Sequence, residues 1–315
     1  DIFYATGHSG KVYRVTPDGQ QELWADISEV EATALAVDAG GRLLIGASPG
    51  GKIYEVREKG KPVLSWETGE KYVWDLVFDD EGVLYAATGT DGKIFRISHS
   101  DSKAELYFDS EATNVMDLDF DSAGNLLAAT QGKAYLIQIS EKDKGYVLYA
   151  ASQDELRAIT VGPDGNIYAA ANSARISSTF DKSSTGTSTS SERASKLGGS
   201  GVVVQVYPNG FVNALWDAPE APIHSILTDP VTSGILAAAG KNGKLYSIDP
   251  TDGTYSVLAD IDESMITALG RGSGSVLLGS ANKAALYELQ PMQSGQPGQF
   301  ASRALDADST VRWGN

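Results

Sequence analysis

The sequence predicts an all-β chain folded as a seven-bladed β-propeller with four antiparallel strands per blade, and three observations predict it. A five-residue apolar theme recurs seven times, at Ile2, Leu43, Leu84, Leu126, Ile167, Ile235 and Val276, with offsets of 41, 41, 42, 41, 68 and 41 residues. Each unit divides into short strand-like runs separated by Gly- and Asp-rich turns, with no capped helical periodicity. The recurring runs, such as LYAAT at Leu84 and IYAAA at Ile167, are apolar or small on both faces, which marks sheets covered on both sides. Units of about 40 residues, each pressed between two others, describe a propeller.

The elements are clearest between Tyr72 and Ser110. An innermost strand, VWDLVF (Val73 to Phe78), is followed by the turn Asp79-Asp80-Glu81-Gly82, whose glycine supplies a positive φ. A second strand, VLYAAT, leads through Gly89-Thr90-Asp91-Gly92 to a third, KIFRI, and AELYF (Ala104 to Phe108) is the fourth. Residues 1–315 read as one propeller domain. The offset of 68 is one period plus 27, which places an insertion over 173–200 in the fifth unit. Of its 28 residues 14 are Ser or Thr, so it has little to bury and reads as a mobile loop that brings Arg175, Ile176 and Phe180 to the ligand face. The first unit opens at its second strand, and 306–315 read as the strand that closes the ring or as the start of a following domain.

Composition narrows the function classes. Forty-one Asp and Glu against 25 Lys and Arg give a formal net charge of −16, which disfavours nucleic acid and anionic membrane surfaces. The absence of cysteine excludes disulfides, Cys-ligated zinc and thiol catalysis. No window has the roughly 18 to 20 apolar residues of a spanning helix, so no membrane insertion is expected. The chain opens at Asp1 in a strand-like run, consistent with a processed precursor in an extracytoplasmic setting, periplasmic or secreted, and a monomer is expected.

The units Gly10-Lys11-Val12-Tyr13-Arg14-Val15-Thr16-Pro17-Asp18-Gly19 and Gly51-Lys52-Ile53-Tyr54-Glu55-Val56 resemble bacterial propeller repeats of the NHL, streptogramin-lyase-like and two-component-regulator type. These belong to the wider WD40-like superfamily, although the paired Gly-His and Trp-Asp of true WD40 repeats are missing. The resemblance covers most of the chain and implies a seven-bladed ring, part of a larger bacterial envelope or secreted protein.

Propellers usually bind ligands at the channel mouth. Aligning the entries of the innermost strands puts Thr33, Trp74, Met116, Arg157, His224 and Thr267 at one position, with Ala34, Asp75, Asp117, Ala158, Ser225 and Ala268 beside them. Aromatic, cationic and acidic residues at one position suggest a polar, aromatic ligand mouth, and the bland alternative is a solvent-lined wall. Of three histidines, His99 reads as surface, while His8 and His224 face the mouth, where a two-His lyase or metal site is conceivable. Gluconolactonase-like propellers hold a divalent ion through Glu, Asn and Asp, which points here to Asp75 and Asp117, with Asn114 and Glu31 nearby, as a site for Ca²⁺ or Mg²⁺. Those Asp side chains are equally suited to accept N–H groups of their own loops. The acidic turns read as hairpins, and the recurring Lys11, Lys52, Lys93, Lys133 and Lys244 as exposed strand-entry residues. The expected function is a non-catalytic binding module for a protein, small molecule or carbohydrate, with no cofactor beyond that candidate ion. The alternative is a metal-dependent lactonase or other hydrolase, or a lyase, on the same mouth.

Overall fold

A computed structural model describes residues 1–98, 103–173, 201–272, 274–281 and 284–290, and every helix or strand in them is a strand. The strands form five antiparallel sheets, one of them of twelve strands in which single pairs, Asn114 with Gly89 and Gln131 with Glu155, join three four-stranded groups, so seven groups follow one another along the chain. The first has three, Ile2–Ala5, Lys11–Val15 and Gln21–Asp26. Five four-stranded groups follow, whose innermost strands are Glu31–Val37, Tyr72–Phe78, Asn114–Phe120, Glu155–Val161 and Ile223–Thr228. The last has Met265–Arg271, Val276–Ala281 and Leu286–Leu289. Successive innermost strands pack on one another. The chain is therefore an all-β propeller, and the groups are numbered below as blades 1 to 7.

Turn chemistry explains the hairpins. Asp38, Asp79 and Asp121 each accept N–H bonds from the residues two and four positions on, at 2.8 to 3.0 Å. Gly41, Gly82 and Gly124 complete these turns at φ of 80°, 78° and 82°, where a β-carbon would be strained.

The core lies between blades. The second strands, Leu43–Ser48, Leu84–Gly89 and Ile167–Asn172, are buried along their whole length, as two-faced apolar runs require. Between blades 2 and 3, for example, Ala34, Leu44, Ile53 and Trp66 pack on Val73, Leu76, Leu84 and Phe95. Such a cluster fills each of the six joints from blade 1 to blade 7. Among the described residues, blade 7 meets blade 1 through a much smaller contact, Ala284 on Tyr13.

The recurring strand-entry lysines are exposed at Lys133 and partly buried at Lys52, Lys93 and Lys244, and these four bond Glu29, Glu70, Glu111 and Glu220 at 2.7 to 3.0 Å. Each glutamate comes from the loop entering the same blade, so the pair ties that loop to the third strand. The insertion leaves after Ser173 and returns at Gly201, between the Cα partners Asn172 and Gly201. Most of 173–200, together with His99 and 306–315, lies outside the described residues.

Candidate functional site

The six aligned candidates share a structural property that explains their alignment. In every four-stranded blade and in blade 7 the innermost strand slips its register by one residue at the entry. The skipped residues are Thr33, Trp74, Met116, Arg157, His224 and Thr267. A bulged residue has no cross-strand partner, and its side chain is re-aimed. Thr33 and Thr267 turn their hydroxyls onto carbonyls, of Val73 and of Gly279 at 3.4 Å. Met116 is 8% exposed, and Trp74, Arg157 and His224 are half-buried.

A belt of polar side chains fixes this arc. The Trp74 indole N–H donates to Asn114 Oδ1 at 2.9 Å, Asn114 Nδ2 to Gln131 Oε1 at 2.7 Å, and Gln131 Nε2 to Glu155 Oε2 at 3.0 Å. From the other side Asn172 Nδ2 donates to Glu155 Oε1 at 3.1 Å, and Asn172 also holds both backbone groups of Ile223 at 2.9 Å. The belt thus crosses from blade 3 to blade 6. Trp74 is further held by Tyr72, stacked at 4.9 Å and 25°, with Lys71 Nζ 4.9 Å from the Tyr72 ring centroid. Gly89 makes room for the belt, since a β-carbon there would lie 1.7 Å from Asn114 Oδ1. The sequence reading named Asn114 but missed Gln131, Glu155 and Asn172. The signal was positional, because all four sit where an innermost strand begins or a second strand ends.

Asp75 and Asp117 have a different task from the one their own loops suggested. An innermost strand has one edge unpaired, toward the channel, and its N–H groups need acceptors. Asp75 accepts Leu118 N–H at 3.0 Å, Asp117 accepts Ile159 N–H at 2.6 Å, and Asp119 accepts Val161 N–H at 3.1 Å, each from the next blade. Thr160 and Ser225 do the same for Thr228 and Leu269, at 3.3 Å each. The Asp75 and Asp117 carboxyls also bond one another. Burial pushes both above the usual carboxylate range, Asp117 well above it because the Asp75 charge adds to burial. Each of these carboxyls already accepts a backbone N–H of the next blade, which takes up part of its capacity to ligate Ca²⁺ or Mg²⁺. Among the described residues no three His, Asp or Glu converge as a metal-ligand group. Glu31 lies 3.6 Å from His8 and Asn114 is spent in the belt.

His8 is half-exposed in a turn at φ 64°, with Nδ1 near Glu31. His224 is better placed. Its Nε2 contacts Gly240 O at 3.0 Å, so with that carbonyl as acceptor the proton sits on Nε2 and Nδ1 keeps its lone pair. Burial, then the nearby Arg157 and Lys241 charges, hold its pKa below the ordinary value, while the Gly240 bond and Glu155 oppose them. The Arg157 guanidinium has neither ion pair nor hydrogen bond to a described residue. A concavity on the outer rim of blade 2 offers less, because its Arg57 and Lys61 are paired with Glu55 and Glu58.

No protein-family model matches the sequence, and no curated protein does. Solved structures similar to the chain are propellers. The WD40 domain of Doa1 superposes with a TM-score of 0.66 at 15% identity, over 93% of this chain and 90% of that one. A streptogramin B lyase gives 0.66 at 14% identity, over 87% and 89%. A chain of the mitotic checkpoint complex gives 0.67 at 12% identity, over 91% and 84%. At these identities the likeness is one of fold, and that fold is a β-propeller.

Proposed function

We propose that the protein is a binding module, a seven-bladed propeller of the repeat type its Gly-Lys-aromatic units resemble, that captures a small molecule or a segment of a partner protein at its channel mouth. One observation carries this reading. Six innermost strands bulge at the same place and present Thr33, Trp74, Met116, Arg157, His224 and Thr267 outside the ladder. A position with only a packing role tends to hold one residue type, whereas this one runs from hydroxyl through indole and thioether to guanidinium and imidazole. Asp75 and Asp117 line the wall beneath as the acceptors that join blades. Crystals soaked with a library of small fragments test the proposal. Density is expected to concentrate over Trp74, Met116, Arg157 and His224, and hits gathered on the outer rim instead overturn it.

A lyase is the second reading, favoured by the neutral His224 with its Nδ1 lone pair beside Arg157, a base next to a cation that would steady an enolate or alkoxide. Chemical change of a soaked ester or lactone fragment, lost in His224→Ala, would move the assignment from module to enzyme.

A further inference from the structure

The bulged residues are ordered around the ring by chemistry. Blades 3 and 4 contribute the Trp74 indole and the Met116 thioether, both apolar surfaces held by neighbours. Blades 5 and 6 contribute the Arg157 guanidinium and the His224 imidazole, with Lys241 near enough to act on the histidine. Blades 2 and 7 contribute threonines whose hydroxyls are already bonded to carbonyls. One half of the mouth is therefore quiet, and the other grades from apolar to cationic.

Two facts bear on the sign of a ligand's charge. Glu155, the carboxylate whose charge acts on His224, has each oxygen occupied by an amide donor, from Asn172 and Gln131. The net charge of −16 opposes an anion only at range, since salt screens it beyond about 8 Å at physiological ionic strength. Close to, the Arg157 guanidinium, which among the described residues has no ion pair or hydrogen bond, presents a planar fork of N–H donors to an oxyanion.

We infer that the mouth takes an amphiphilic anion, a ligand with one carboxylate or phosphate whose acid group is held by Arg157 and whose apolar or aromatic body lies on Met116 and Trp74. The inference rests on the mouth being the binding site and adds the class of ligand to it.

Phenyl phosphate, benzoate and the neutral benzyl alcohol serve as probes, titrated by ligand-observed NMR into the full chain and into Arg157→Gln, Trp74→Ala and the outer-rim control Arg57→Ala. Thermal melting checks that each variant is folded. At least one acid probe is expected to bind with a millimolar Kd, and the better of the two tells phosphate from carboxylate. Arg157→Gln should weaken it about tenfold or more, the worth of a charge-assisted hydrogen bond, Trp74→Ala should weaken acid and alcohol alike, and Arg57→Ala should change nothing. If benzyl alcohol binds and depends on Trp74 while the acids bind no better or ignore Arg157→Gln, the anion is wrong and the mouth stands. If no probe depends on Trp74 or Arg157, both fall.

Discussion

At the scale of single residues, the most constrained chemistry is that of the buried carboxyls Asp75 and Asp117, each bonded to a backbone N–H of the next blade. Two charged carboxylates within a hydrogen bond of one another repel strongly away from water, so the Asp75 charge adds to burial in raising Asp117. Because burial raises the folded pKa of both, their contribution to stability is complete below the ordinary Asp pKa and is lost as pH rises through the folded values. Asparagine at 117 can accept Ile159 N–H and donate to Asp75 without ionising. Asp117→Asn should therefore match the wild type in acid and melt a few degrees higher in alkali. Parallel melting profiles across pH would contradict the pairing. His224 has the opposite sign. Its lowered pKa means that stability is complete above 6.5 and falls as pH drops toward the folded value.

At the scale of elements, the innermost strand does two jobs at adjacent positions. Its regular residues pair with the second strand and pack between blades, and its one bulged residue is released. The polar belt fixes that released side chain in blade 3, and Gly89 is the gap the belt requires. Gly89→Ala has no backbone objection, yet its β-carbon would meet Asn114 Oδ1 at 1.7 Å and Trp74 Nε1 at 2.9 Å. It should cost about 1–3 kcal/mol of stability, the range of overpacking, and shift the tryptophan emission as the indole loses its acceptor. Unchanged melting and emission would show that the belt is not rigid. The blades were readable because burial on both faces writes itself into consecutive residues such as Leu84 to Thr88. The bulge position was also readable, as a variable place in an otherwise regular alignment. What Asp75 and Asp117 do was not, because their partners Leu118 and Ile159 lie 43 and 42 residues on, one blade away. The belt was hidden for the same reason. Glu29, Glu70 and Glu111, each 41 residues from the last, were a legible signal that the lysine reading passed over.

At the scale of the whole molecule, cohesion among the described residues is uneven around the ring. Six joints each bury a cluster of apolar side chains, and among the described residues the seventh consists of Ala284 against Tyr13. Local opening follows the density of buried apolar contact. Hydrogen exchange should therefore be fastest among strands at Ile2–Ala5 and Leu286–Leu289 and slowest along Leu84–Gly89 and Ile167–Asn172. Uniform protection in all these strands would mean that the seam is as strong as the other joints. The bulges have one more consequence. Because a residue outside the ladder has no cross-strand partner in the register, its replacement leaves the pairing of the first and second strands in place. Randomising the half-buried members, Trp74, Arg157 and His224, with Gly89 and the carboxyl staples left intact, would sample new specificities on the same strand register. A ring of this design can thus be retargeted by a handful of codons.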